Sequence, residues 1–345
     1  MHSATSAAIT VLGTGSYLPE RRVTNDDIAA RVPGASADWI ADRTGILERR
    51  YAAPDEAASD LAVHAARKAL DQAGLAADEL DFVIVSTTTG DALVPATSTL
   101  VQHALGARRA ACFDVNIGCT GFVTALSIAQ AYVTLRRATK VLAIGTDVWS
   151  RFVDFEDRST SVLFGDGAGA AVIGALPGAD DAAGRGLLDV ELVGHGAEHE
   201  LISLPAGGSR RPTSHETIAD GGHLLHMQGR AVRNFVLDNV PGLLTGLLKR
   251  CGYEPTDADH FVPHQANGRL VTELARASGL ERAQTHLPLR YSGNIGSASV
   301  PVALDTANRS GALRDGDLVL LAGFGAGMAA GAALMSWTAT EGSAR

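Results

Sequence analysis

The phrase NIGCTGFVTAL, Asn116 to Leu126, returns as NIGSASVPVAL, Asn294 to Leu304, at an offset of 178 residues. Two more blocks keep that spacing. Upstream, ALDQAGLAADELDFVIV matches LLKRCGYEPTDADHFVP, with Gly74 over Gly252 and Asp81 over Asp259; downstream, VLAIG from Val141 matches VLLAG from Val319. One constant offset across three blocks marks an internal duplication, so the chain must fold as two copies of one unit.

Each copy reads as a helix stopped by a glycine (Gly74, Gly252), then a buried apolar strand, Phe82 to Ser86 or Phe261 to His264. A second strand, ACFDVN, runs into the repeated phrase and on into an apolar helix from about Thr120 to Arg137; a third, KVLAIGTD, follows. Strands alternating with helices imply a largely parallel sheet covered on both faces. Two such halves predict a layered α/β sandwich with a pseudo-twofold axis. Residues 1–178 form the first half and 187–345 the second, with a glycine-rich and alanine-rich seam from Leu176 to Gly186. The stretch from about 195 to 226 has no counterpart at the offset and reads as an inserted cap over a site.

Composition narrows the function. A net charge of −9 and a pI of 5.6 argue against a nucleic-acid partner. No apolar run reaches the ~18–20 residues of a membrane span, and the expected address is the cytoplasm. Three cysteines, Cys112, Cys119 and Cys251, make neither a CxxC pair nor an even framework, so reduced thiols are expected. Neither GHGAEHE nor GHLLHM is an HExxH motif, no G-x-S-x-G elbow exists, and VLGTGSYLP lacks the third glycine of a dinucleotide fingerprint. No metal and no cofactor are expected.

The Cys119/Ser297 difference makes one of the two repeated helix starts chemically special. At a strand-to-helix junction, unpaired N–H groups and the helix dipole favour a thiolate, which predicts a pKa below the usual ~8.5. An isolated cysteine is by default a small buried hydrophobe, and Cys112 and Cys251 are read so. Cys119 differs because VPHQAN brings His264 off a strand end, where open α/β sheets place ligands, and SGNIGSAS puts Asn294 in a glycine-rich turn at the second copy's mouth.

The motifs DWIADRTGILERR, DVNIGCTGF, FGDGAGAAV, VPHQAN, GNIGSASVP and GFGAG, which follow one another in this order along nearly the whole chain, together resemble the β-ketoacyl-acyl carrier protein synthase III family of thiolase-fold condensing enzymes. The resemblance implies a five-layered αβαβα sandwich. It implies Cys119 as the acyl-accepting nucleophile and His264 with Asn294 as the pair that handles a malonyl group. Backbone N–H groups of Cys119 and Ala326 would form an oxyanion hole. Trp39, Arg43 and Arg158 match positions that hold coenzyme A, and Gly229 and Asn267 match the pantetheine tunnel. The implied partners are acyl-CoA, malonyl-acyl carrier protein or malonyl-CoA, acyl carrier protein and a second copy of the chain. Helical spacing suggests Arg230, Arg233, Arg269 and Arg276 as a basic patch for an acidic carrier protein, although a merely solvated face has the same pattern.

Val94 stands where well-known members carry a phenylalanine that closes the acyl pocket across the dimer, which predicts a primer longer or more branched than acetyl. GNIG replaces the family's common GNTS, and NIGCTGF its common AACSGF or AACAGF, which points to a specialised pathway such as polyketide priming. The rival reading is a thiolase-fold acyltransferase that passes the Cys119 acyl group to an alcohol, amine or carrier thiol. Such an enzyme has no use for an enolate-binding amide, so Asn294 favours condensation.

Overall fold

The computed structural model describes residues 8–176 and 184–339. Most of the expected seam, and the ends of both halves at 178 and 345, lie outside the described residues. The first half carries strands β1 (Ile9–Tyr17), β2 (Phe82–Ser86), β3 (Ala111–Val115), β4 (Lys140–Val148) and β5 (Asp166–Ala175). The second carries β6 (Gly186–Gly194), β7 (His260–Pro263), β8 (Gln284–Thr285), β9 (Leu318–Gly325) and β10 (Ala329–Ser336). The first sheet is ordered β1-β5-β4-β2-β3 and the second β6-β10-β9-β7-β8. These are one topology used twice, with the inner and outer pairs alike parallel and the two strands at the other edge antiparallel.

The principal helices are α1 (Ala37–Thr44), α2 (Ala58–Ala73), α3 (Thr97–Leu105), α4 (Gly121–Thr134), α5 (Gly229–Arg250), α6 (Gly268–Ala277) and α7 (Ser299–Arg309). Apolar packing sorts them into layers. α4 and α7 share one core with both sheets and form the middle layer. α2 covers the outer face of the first sheet, and α5 with α6 the outer face of the second. The result is the five-layered thiolase-like sandwich.

Local sequence explains how tightly the layers meet. α2 shows its alanines to the sheet, and β1 answers with glycines. A Cβ added at Gly15 would lie 2.2 Å from the Ala65 carbonyl oxygen, so helix and strand backbones touch directly. Gly74 and Gly252 both take a left-handed conformation, φ 65° and 85°, just past their helices as the repeat predicts. The middle helix is shorter than expected: it starts at Gly121 after a 3-10 turn over Gly118–Thr120, and the chain leaves it before Arg136, whose φ is 54°.

The segment 195–226 is built of short pieces, among them a 3-10 stretch (Gly196–Leu201), a small helix (His215–Ala219) and a two-stranded ladder of Ile202–Ser203 with His226–Met227. Ile202, Leu225 and Met227 place it against the cavity described next.

Candidate active site

Cys119, His264 and Asn294 come from three elements and line one cavity of ≈ 480 Å³. Each is delivered by a different local device. Gly118 bends the chain through φ 53°, so that β3 turns at once into the 3-10 start of α4 and leaves Cys119 at the helix entrance. His264 is the first residue past β7, held in line with its neighbour strand by its N–H to the Ala322 carbonyl, 2.6 Å away. Asn294 is pinned by the first half: its N–H donates to the Leu163 carbonyl at 2.8 Å and its own carbonyl accepts from Gly165 N–H at 2.9 Å.

The polar atoms are pre-oriented. Asn294 Oδ1 accepts the Gly296 N–H at 3.0 Å, which leaves Nδ2 without a partner among the described residues and free for a ligand oxygen. The His264 ring packs edge-on against Phe324, and its Nδ1 is buried with no partner. A buried unpaired N–H costs more than a buried unpaired ring acceptor, so the proton belongs on Nε2, aimed at the cavity. Burial lowers the His264 pKa to about 3, so the ring is neutral at physiological pH.

The thiol departs from expectation. Burial, with the Asp147 carboxylate second, pushes Cys119 well above the ordinary thiol value, against the small lowering from its own backbone N–H. Desolvation outweighs the helix-start effect because the terminus here is a short 3-10 turn inside the middle layer. The resting site therefore holds a thiol and a neutral imidazole lining one cavity.

The backbone beside Cys119 leaves no room for side chains. A Cβ at Gly325 would lie 3.1 Å from Cys119 Sγ, and one at Gly118 would lie 2.9 Å from the Ala326 Cβ and 3.2 Å from its nitrogen. Ala326 therefore abuts the cysteine turn, as an oxyanion hole shared with Cys119 N–H requires.

At the mouth, the Arg158 guanidinium lies over the Trp39 ring, 5.2 Å from its centroid, with Arg43 and Gly229 nearby in the same lining. Asn267 also lines the cavity, but its amide is committed: Oδ1 caps α6 by accepting from Arg269 N–H at 2.9 Å, and Nδ2 donates to the Arg43 carbonyl at 3.1 Å. It holds α6 and α1 together. Of the four arginines expected to form a patch, Arg233 and Arg269 reach the rim, Arg230 lies beside a shallow depression at the start of α5, and Arg276 is exposed near the end of α6. Arg233 is spent on Glu273, 2.6 Å away, which weakens the patch.

Val94 does not line this cavity. It is 85% exposed on a tip with Leu93, and the wall it was expected to form would lie across the dimer in a second copy. Sequence reading missed Trp149, Phe164 and Phe324, which form much of the apolar lining. Trp149 directly follows β4 and Phe324 lies near the C-terminal end of β9, the strand edge at which ligands collect, and that position was the available signal.

Comparison with known proteins agrees with this geometry. Models of the 3-oxoacyl-[acyl-carrier-protein] synthase III family match residues 113–196, and its C-terminal part residues 248–337. The chain is 45% identical to the acetoacetyl CoA synthase NphT7 of Streptomyces sp. (strain CL190), covering 96% of this chain and all of that one. It is 42% identical to the β-ketoacyl-[acyl-carrier-protein] synthase III of Caldanaerobacter subterraneus subsp. tengcongensis, over 95% and 97% of the two chains. Among solved structures, the priming β-ketosynthase from the R1128 polyketide biosynthetic pathway superposes with a TM-score of 0.88 at 34% identity, covering 98% of each chain.

Proposed function

Because the chain belongs to the 3-oxoacyl-[acyl-carrier-protein] synthase III family and is an acyltransferase of that type, we propose that Cys119, His264 and Asn294 carry out a primed, decarboxylative Claisen condensation. The observation that carries this reading is the free Asn294 Nδ2 in the same cavity as the Cys119 thiol and the His264 ring.

An acyl-CoA enters past Trp39 and Arg158. Cys119 Sγ bonds to the acyl carbon, the carbon–sulfur bond to coenzyme A breaks, and the thiol proton leaves with coenzyme A. The tetrahedral oxyanion accepts the N–H groups of Cys119 and Ala326, each such donor being worth about 3 kcal/mol. After coenzyme A departs, a malonyl thioester takes its place. Its carbon–carbon bond to the carboxylate breaks, CO₂ leaves, and the electron pair stays as an enolate whose oxygen accepts from His264 Nε2–H and Asn294 Nδ2–H. The enolate carbon attacks the acyl-cysteine, the carbon–sulfur bond breaks, and Cys119 leaves as a thiolate that takes one proton from solvent to restore the resting thiol. The two thioesters balance the reaction without a cofactor.

The carrier of the extender is open to both sources. A product named acetoacetyl CoA is an acetyl unit lengthened by two carbons and left on coenzyme A, and the weakened arginine rim suits coenzyme A at least as well as an acidic carrier protein. Val94 can shape a pocket only in a neighbouring copy. The projecting Leu93–Val94 tip beside the outer strand β3 supports a homodimer in which Val94 leaves room for a primer longer than acetyl. No helix among the described residues is long and apolar enough to cross a membrane. Three unpaired cysteines and coenzyme A thioester substrates support a cytoplasmic enzyme.

The test is a panel of C2 to C8 acyl-CoAs followed by malonyl-CoA or malonyl-acyl carrier protein, read by intact mass and CO₂ release. A β-ketoacyl product with CO₂ supports the reading. Transfer of the acyl group to an acceptor without CO₂ defeats it, and an acetyl optimum defeats the primer assignment.

A further inference from the structure

The duplication gives the active site a counterpart in the other half. At the offset of 178, Ser297 stands for Cys119, Ser86 for His264 and Asp147 for Gly325. The backbone is the same: Gly118 and Gly296 bend through φ 53° and 57°, and each begins a 3-10 turn that opens a middle-layer helix. The contents differ. At the catalytic copy Gly325 carries no side chain, and its backbone packs so closely on Cys119 that a Cβ there would lie 3.1 Å from Sγ. At the counterpart position Asp147 carries a carboxylate that meets the Ser297 hydroxyl at 2.7 Å, and both residues are fully buried.

Asp147 accepts from both halves of the molecule. Oδ2 takes the Ser297 N–H at 2.8 Å and its hydroxyl at 2.7 Å. Oδ1 takes the N–H and hydroxyl of Thr88 at 2.9 and 3.0 Å and those of Thr89 at 3.2 and 2.9 Å. Among the described residues no cation lies within ion-pair distance of it. A carboxylate buried on neutral donors alone is expensive to desolvate.

Its reach into the catalytic cavity is short. Gly296 rests on the carboxylate so closely that a Cβ there would lie 2.2 Å from Oδ2, and Gly296 N–H is the donor that orients Asn294 Oδ1. Ser297 fixes the other end of the same turn. We infer that Asp147 is a positioning residue for the condensation half of the reaction: through Gly296 and Ser297 it holds the Asn294 amide where the enolate oxygen forms. This rests on the role given to Asn294 above. The carboxylate also bears on the Cys119 thiol, which shares the cavity with His264 and, toward its mouth, with Arg43, Arg158, Arg233, Arg269 and Glu273, and so supplies a second readout.

Three variants test it, each assayed for CO₂ release from malonyl-CoA, Cys119 acylation by mass, and the pH midpoint of Cys119 alkylation by iodoacetamide. Asp147→Asn should lower decarboxylation by about tenfold or more, leave acylation within about threefold, and move the alkylation midpoint down. Ser297→Ala keeps the carboxylate, so decarboxylation should fall while the midpoint stays put; if Asp147→Asn does not fold, this variant decides. Wild-type decarboxylation in both, or an equal loss of both half-reactions with an unmoved midpoint, overturns the inference. Asn294→Ala is the reference. If it keeps decarboxylating, the reading of Asn294 fails and this inference with it; if it alone loses decarboxylation, only the inference falls.

Discussion

Asn294 Oδ1 and the Gly296 N–H meet at 3.0 Å within one turn, and that single bond decides which end of the amide the substrate encounters. Replacing Asn294 by Asp keeps the bond and removes the outward donor, putting an acceptor where the enolate oxygen must sit. Condensation should fall by about 10²–10³-fold, the scale of one lost oxyanion donor, while the acyl-enzyme still forms. Single-turnover measurement of product against intact mass of the acyl-enzyme checks this, and loss of both steps together would contradict it.

Cys119 is a protonated thiol at rest, so its alkylation should be slow near neutrality and rise with a midpoint above the ordinary ~8.5. Iodoacetamide rates across pH, followed at the Cys119 peptide, give that midpoint. A midpoint below 8 would mean that the helix start outweighs burial after all.

Arg158 and Trp39 form a stacked pair at the cavity mouth. Arg158→Ala removes a charge-assisted contact from an exposed site that no reacting atom touches. The KM for acyl-CoA should rise about five- to tenfold with kcat nearly unchanged, in initial-rate kinetics with the malonyl substrate saturating. A fall in kcat alone would count against a binding role.

Gly296→Ala tests the packing of the turn. The left-handed backbone costs a non-glycine residue about 1–2 kcal/mol, and the added carbon meets Asp147 Oδ2. A clear drop in thermal midpoint is expected. Gly194→Ala, in open space, should leave the midpoint nearly unchanged.

Acid should weaken the fold through its buried histidines. His264 and His286 are lowered to about 3 and about 4, the second by burial and then by His260. An unfolded chain protonates both near 6.5, so the stability they contribute is whole above that pH and is lost as pH falls toward 4. Asp166, raised by burial to about 6, works the other way below 6, because the native state takes up its proton before the unfolded chain does. Two groups oppose one, so the thermal midpoint should decline from pH 6.5 to 4.5, and less steeply in His286→Gln.

The duplication was legible because its signals are local. Gly74 and Gly252 end helices for backbone reasons that any surroundings would preserve, and the apolar runs at Val141 and Val319 can only be buried strands. That the two sheets share one topology follows from the repeat; their strand order, and the antiparallel edge of each where a largely parallel sheet was expected, came only with the fold. Cys119, His264 and Asn294 were also legible, since a thiol, an imidazole and an amide placed at the mouths of repeated units stand out against them.

What the sequence could not contain is the balance of terms that depends on distance in three dimensions. The helix start at Cys119 argued for a thiolate, yet burial in the middle layer raised the thiol. Asn267 looked like a ligand contact, yet its amide caps one helix and ties another. Arg233 looked free, yet Glu273 lies 2.6 Å from it. Local propensity acts between neighbours in the chain and can be read there. Desolvation and ion pairing act between residues that only the closed fold brings together, so the state of the thiol and the commitments of the polar groups were decided by tertiary structure alone.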